Sequence, residues 1–149
     1  MSKQVALPDL HATAEFGARI AAALRKGDVV ALTGALGAGK TTLARAILRG
    51  AGYTGEVPSP TFTILEAYDP PAVRLPIVHA DFYRLHHPAE VEELGLADYR
   101  VGAALLAEWP EKAGGFANES GCLAIHLQAG KDGRIAWLET GLDWEGRIS

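Results

Sequence analysis

"GALGAGKTT", Gly34 to Thr42, is the stretch on which the reading of this chain turns. Its first eight residues fit G-x-x-x-x-G-K-S/T, the loop that wraps the phosphates of a nucleoside triphosphate. Gly34, Gly37 and Gly39 allow backbone torsions closed to other residues, so successive N–H groups aim at one anion. The positive end of a following helix reinforces them. Lys40 reaches the outer phosphates and the Thr41 hydroxyl is a magnesium ligand. Gly37, Ala38, Gly39, Lys40, Thr41 and Thr42 form the expected nucleotide-binding set, with ATP and Mg2+ as the cofactors. Gly34-Ala-Leu-Gly37 lacks the G-x-G spacing of a dinucleotide site, so hydride chemistry is not expected.

An ordinary glycine-rich turn is the competing reading, and the flanking sequence argues against it. Val29 to Thr33 is an unbroken apolar run, suited to a strand buried on both faces of a largely parallel sheet. Thr42 to Arg49 follows as a helix, Leu43 over Ile47 and Ala44 over Leu48, stopped by Gly50 and Gly52. Strand, glycine loop and helix is the context the motif requires. Upstream, Asp9 caps a helix whose Ala12, Phe16, Ile20 and Leu24 share one face, with Gly27 as its stop.

Downstream, "SPTFTILEAY" reads as a loop entering a strand, and "VRLPIVHAD" as a strand joined to it by a turn at "DPPA". Pro88 opens a helix that Gly95 closes, with Glu90, Glu92 and Glu93 on its wet side. "GAALLAEWP" is a further apolar strand, and "CLAIHL" and "RIAWLET" around "QAGKDG" make a last hairpin. The predicted fold is α/β, a P-loop NTPase-like three-layer sandwich on a mixed sheet, parallel at its core with antiparallel hairpins at the edges.

Composition sets the bounds. At 149 residues and 48% hydrophobic, the chain has material for one compact domain, 1–149, and too little for two. The net charge is −4 and the 14 basic residues form no cluster, whereas a protein gripping many phosphates of a nucleic acid needs a basic patch. Contact with nucleic acid is therefore expected through a partner. One cysteine excludes an internal disulfide, no signal-peptide pattern is visible, and no apolar run approaches the ~20 residues that cross a bilayer. The expected address is the cytosol, without membrane association.

Turnover requires an acid at the metal and a group that orients the attacking water. Two carboxylates fall at strand ends: Asp81 after "PIVHA" and Glu108 after "AALLA". In "VPSPTFT", Ser59 and Thr61 flank a proline where a switch segment would reach the γ-phosphate, although an ordinary turn fits as well. His79, His86 and His87 lack the spacing of a zinc site and read as surface or hairpin residues. Trp137 and Trp144 read as packing residues, and Cys122 as a small buried apolar one.

In this order and at this length, "GALGAGKTTL", "SPTFTILEAY", "HADFYRL", "EVEELGLADY" and "AEWPE" resemble the TsaE family, formerly YjeE. The resemblance runs from "ALPDLHAT" to about Trp109 and is weak beyond it. It implies a small ATPase of bacterial tRNA threonylcarbamoyladenosine synthesis, working with TsaB and TsaD proteins and meeting tRNA only through that complex. It further implies that Lys40 and Thr41 bind phosphate and magnesium, that Glu108 is the metal-side acid, and that Asp81 and Thr61 act near the γ-phosphate. Trp109 then lies beside the chemistry, and Leu10 to Thr13, with Gly130 and Lys131, flank the adenine. Family members commonly carry an acid after the first loop glycine, where this chain has Ala35.

Other classes remain as alternatives. A GTPase needs an N-K-x-D base reader, and the sole asparagine, Asn118 in "FANES", does not supply one. A small-molecule kinase needs a lid with arginines, for which Arg84 and Arg100 are too isolated. A nucleotide-gated assembly protein, in which hydrolysis only resets docking, differs from an ATPase in what turnover accomplishes.

Overall fold

The computed structural model describes residues 2–58 and 65–148; Ser59 and Thr61 lie outside the described residues. Along the chain run β1 (Ser2–Leu7), α1 (Leu10–Ala23), β2 (Val29–Thr33), α2 (Lys40–Gly50), β3 (Leu65–Tyr68) and β4 (Ile77–Asp81). They are followed by α3 (Glu90–Glu93), α4 (Leu96–Arg100), β5 (Ala104–Glu108), β6 (Cys122–Gly130) and β7 (Gly133–Thr140). Single turns of 3-10 helix cover Pro110–Ala113 and Leu142–Trp144.

The strands form one seven-stranded sheet in the order β1-β7-β6-β2-β5-β4-β3. The β6-β2, β2-β5 and β5-β4 pairs are parallel, and the β3-β4, β6-β7 and β1-β7 pairs antiparallel. This is the predicted mixed sheet. Apolar residues of period two serve both faces of its core. Val30 and Leu32 of β2 join the cluster under α1 and α2, while Val29 and Ala31 join the cluster on the other side. There Val78, Leu105, Phe82, Leu96 and Phe116 pack together, and the short helices α3 and α4 complete the third layer.

The capping of α1 follows the sequence: Asp9 Oδ1 accepts a hydrogen bond from the Ala12 amide at 2.8 Å. The crossing of α1 over α2 is close because small residues face each other. A methyl group on Gly17 would lie 2.5 Å from Ala46 Cβ, and one on Gly50 2.7 Å from Ala18 Cα.

Three expectations change. Strand β1 has no counterpart in the sequence reading; it exists through its register with β7, Val5 opposite Ala136 and Leu7 opposite Arg134. The strand foreseen over "VRLPIVHAD" begins only at Ile77. Before it, Val73 and Leu75 are buried in the helix-side core, Arg74 N donates to Ala51 O, and the Arg74 guanidinium donates to Ala21 O and Leu24 O. That stretch serves the C-terminal ends of two helices and not a strand ladder. The helix opened near Pro88 is closed at Gly95, as expected, but a second helix follows directly, because Gly95 at φ 74° restarts the chain as the N-cap of α4.

Cys122 is buried, and burial pushes its thiol up to about 11. Trp144 is buried with its indole N–H donating to Gly121 O at 2.7 Å. Trp137 departs from the packing role expected of it: it is 41% exposed on β7, where its indole N–H donates to Gln128. No helix of the described residues is long and apolar enough to cross a membrane.

Candidate active site at the glycine loop

Parallel strands deliver their carboxyl ends to one edge, and the glycine loop leaves β2 at that edge to enter α2. Asp81 ends β4 and Glu108 ends β5, and the two are register partners, so their side chains leave the same face. Even-numbered residues of β5 face the helix layer, which turns Glu108 toward α2. The result is a cleft of about 320 Å³ whose walls include Gly37, Gly39, Lys40, Asp81, Glu108 and Trp109.

Glu108 is the centre of the arrangement and is 2% exposed. Oε1 accepts a hydrogen bond from the Thr41 hydroxyl at 2.7 Å, and Oε2 lies 2.7 Å from His79 Nε2, a distance at which the ring N–H donates to it. A carboxylate removed from water is tolerable only with such partners. Lys40 crosses the mouth of the loop, where Nζ donates to Gly34 O at 2.6 Å and Ala35 O at 2.8 Å and stands 4.3 Å from the centre of the Trp109 ring. Burial lowers its pKa below the ordinary lysine value, with Glu108 and Asp81 acting the other way. Asp81 accepts from the Tyr83 amide at 2.9 Å, and burial above all raises its pKa from the usual aspartate value, with the Glu108 carboxylate adding to the rise.

Trp109 is the sole non-glycine among the described residues with positive φ, at 56°. A bulky residue in that region is held by its surroundings. Its amide donates to Leu32 O, and its ring lies 4.9 Å from that of Tyr83. The strained turn thus folds the indole back over Lys40, beside the cleft.

The structure sorts the predicted residues into three groups. Gly37, Gly39, Lys40, Thr41, Thr42, Asp81 and Glu108 meet at the cleft. Ala38 does not line it: the residue is buried in the core and its amide donates to Ala35 O, so its N–H is spent inside the loop. Leu10, Thr13, Gly130 and Lys131 stand apart from the cleft walls. Leu10 is exposed, and Thr13 is buried with its hydroxyl on Asp9 O, within the first turn of α1. Gly130 is the closing pair of the β6-β7 hairpin with Gly133, and a methyl group on Gly133 would meet Pro8 at 2.6 Å, so the hairpin tip does adjoin the entry to α1. Thr61 is outside the described residues.

Two residues of the site escaped the sequence reading. His79, read as a surface or hairpin residue, is 4% exposed in β4 and bound to Glu108. Its place two residues before Asp81 in a strand, hence on the same face, was the available signal. Arg134 enters the cleft from β7, a strand remote from the loop in sequence.

The donor set fits a phosphate ligand with a hard divalent cation. Gly37 and Gly39 have φ of 79° and 105°, and Lys40 and Arg134 supply positive charge. Thr41 Oγ1 and Glu108 Oε1, 2.7 Å apart, are the two oxygens that would hold such a cation. Among the described residues no three His, Cys, Asp or Glu side chains converge on a metal position; Mg2+ completed by phosphate oxygens and waters requires no such group.

Comparison with known proteins places this geometry in a family. A family profile described as "Threonylcarbamoyl adenosine biosynthesis protein TsaE" matches residues 7–136, extending past Trp109 through β6 and into β7. The chain is 42% identical over 116 residues to the tRNA threonylcarbamoyladenosine biosynthesis protein TsaE of Synechocystis, covering 74% of this chain and 72% of that one. It is 41% identical over 123 residues to the TsaE protein of Haemophilus influenzae, covering 78% and 77%. A crystal structure of Bacillus subtilis YdiB superposes with a TM-score of 0.69 at 30% identity, over 95% of this chain and 85% of that one. The chain belongs to the TsaE family of tRNA threonylcarbamoyladenosine biosynthesis proteins.

Proposed function

We propose that this chain is a magnesium-dependent ATPase that supports threonylcarbamoyladenosine modification of tRNA in the cytosol, acting on a complex of TsaB- and TsaD-like proteins. The observation that carries the reading is the 2.7 Å contact between Thr41 and Glu108 at the mouth of the glycine loop, with Asp81 as the neighbouring carboxylate. Loop amides and the Lys40 ammonium bind the β- and γ-phosphates of ATP. Thr41 and Glu108 would hold Mg2+, which when bound neutralises charge building on the transferring phosphoryl group. Asp81, whose carboxylate is made more basic by burial, orients the attacking water and accepts its proton. His79 fixes Glu108 so that Oε1 keeps facing Thr41. Thr61 is assigned to the γ-phosphate on the resemblance alone, and tRNA is reached through the partner complex, in keeping with a net charge of −4.

Phosphate release from Mg-ATP tests the reading, measured for the wild type and for Lys40→Ala with thermal melting as the check of folding. Slow release that vanishes in a folded Lys40→Ala is the expected result. Equal release and equal nucleotide affinity in both proteins would exclude the glycine loop as the site.

A further inference from the structure

The β6-β7 hairpin carries a cation that the proposed function above does not use. Arg134 stands near the start of β7, opposite Leu7 on one side and Ala129 on the other. Its side chain reaches over the glycine loop: a methyl group on Gly39 would lie 2.6 Å from Arg134 Nε and 3.2 Å from Cζ. Nε is buried with no hydrogen-bond partner, and among the described residues no carboxylate forms an ion pair with this guanidinium. Other arginines that enter the protein are supplied with acceptors. Arg74 holds two helix carbonyls, Arg100 holds Glu119, and Arg147, whose Nε is likewise unpaired, holds Asp28 with its other nitrogens. Because a guanidinium cannot discharge itself by losing a proton, an acceptor is the missing part of the Arg134 environment.

Strand order says where that acceptor belongs. Glu108 and Asp81 reach the cleft from β5 and β4 on one side of β2, while Arg134 reaches it from β7 on the other, beyond β6. The loop and the first turn of α2 lie between them. An anion laid across that turn would have Glu108 and Asp81 at one end and a planar fork of N–H donors at the other. We propose that Arg134 is a phosphate-binding residue of the nucleotide site, gripping the phosphates nearer the nucleoside while the γ-phosphate lies on the side of Asp81 and Glu108. The inference rests on the nucleotide reading. It makes Arg134 common to the binding of ATP and ADP, and leaves the γ-phosphate without an arginine from this chain.

Equilibrium titration of ADP, ATP and inorganic pyrophosphate against wild type, Arg134→Met and Arg134→Lys tests it. Loss of one charge-assisted, bidentate contact weakens binding roughly ten- to hundredfold. That loss is expected for ADP, ATP and pyrophosphate alike in Arg134→Met, with partial recovery in Arg134→Lys. Unchanged ADP affinity in a folded Arg134→Met overturns the assignment, as does a loss confined to ATP, which puts the residue at the γ-phosphate, or a loss that spares pyrophosphate, which puts it on the base. In the wild-type protein, independent of any variant, ADP should shield Arg134 from modification by phenylglyoxal, read by peptide mass spectrometry; equal labelling with and without saturating ADP overturns it too. A wild type that binds neither nucleotide removes the nucleotide reading itself, whereas normal wild-type binding with an indifferent Arg134→Met removes this assignment alone.

Discussion

At Glu108 the two carboxylate oxygens have separate duties, Oε1 toward Thr41 and Oε2 toward His79, whereas Asp81 has the Tyr83 amide as its bond partner. The two acids should therefore fail differently. Asp81→Asn is expected to keep magnesium-dependent ATP affinity while losing turnover by about 10²-fold or more, the scale of a lost general base. Glu108→Gln should lose the magnesium dependence of binding; identical metal titrations for the two variants would refute the division. Asp81 also carries a stability prediction. Burial raises its folded-state pKa, so the folded protein holds the proton more firmly than the unfolded chain and stability falls as pH rises between the ordinary and the raised value. Asp81→Asn should then melt higher than wild type at pH 7, with the difference disappearing at pH values below the ordinary aspartate range; a lower melting temperature at pH 7 would contradict it. At this scale, the loop and both acids were legible because each is tied to a local pattern, a motif or a strand end. His79 and Arg134 were not, since their meaning comes from neighbours 29 residues away in one case and from a distant strand in the other.

Elements were legible where their sequence repeats the period of the structure. The Asp9 cap, the β2 run and the α2 face stand where the sequence put them, while α1 ends at Ala23 with Leu24 as its extended C-cap, three residues before the stop expected at Gly27. Strand β1 was invisible because six residues with a polar start carry no signal of their own; the edge of β7 makes them a strand. The segment after the second 3-10 turn is another element defined by tertiary contact. Arg147 donates to Asp28 at 2.6 Å and to Ala23 O, joining that segment to the entry of β2, and both side chains of the ion pair are buried. Removing one partner leaves an uncompensated buried charge, at about 3 kcal/mol or more. Arg147→Met should accordingly lower the melting temperature by about 6 to 12 °C, given roughly 2–4 °C per kcal/mol at this chain length. A melting curve unchanged by the substitution would show that the pair contributes nothing.

Over the whole molecule, the order of strands separates the chemistry of the cleft: acids enter from the β5-β4 side and a cation from the β7 side, around a loop held by β2. On the proposed reading this arrangement binds a triphosphate and a metal and orients water. It contains no arginine on the side of the acids among the residues that line the cleft, and an arginine that neutralises the transition state is worth roughly 10³ to 10⁵ in rate. The isolated chain is therefore expected to be a slow ATPase whose turnover depends on docking, with the missing charge supplied by a partner. The most direct measurement is steady-state phosphate release from Mg-ATP by the purified chain alone, and then with purified TsaB- and TsaD-like proteins, at one fixed salt concentration. Release that is slow alone, rises by orders of magnitude with both partners present, and is absent throughout with Lys40→Ala is the predicted result. Fast hydrolysis by the chain alone, or a rate indifferent to the partners, would contradict it.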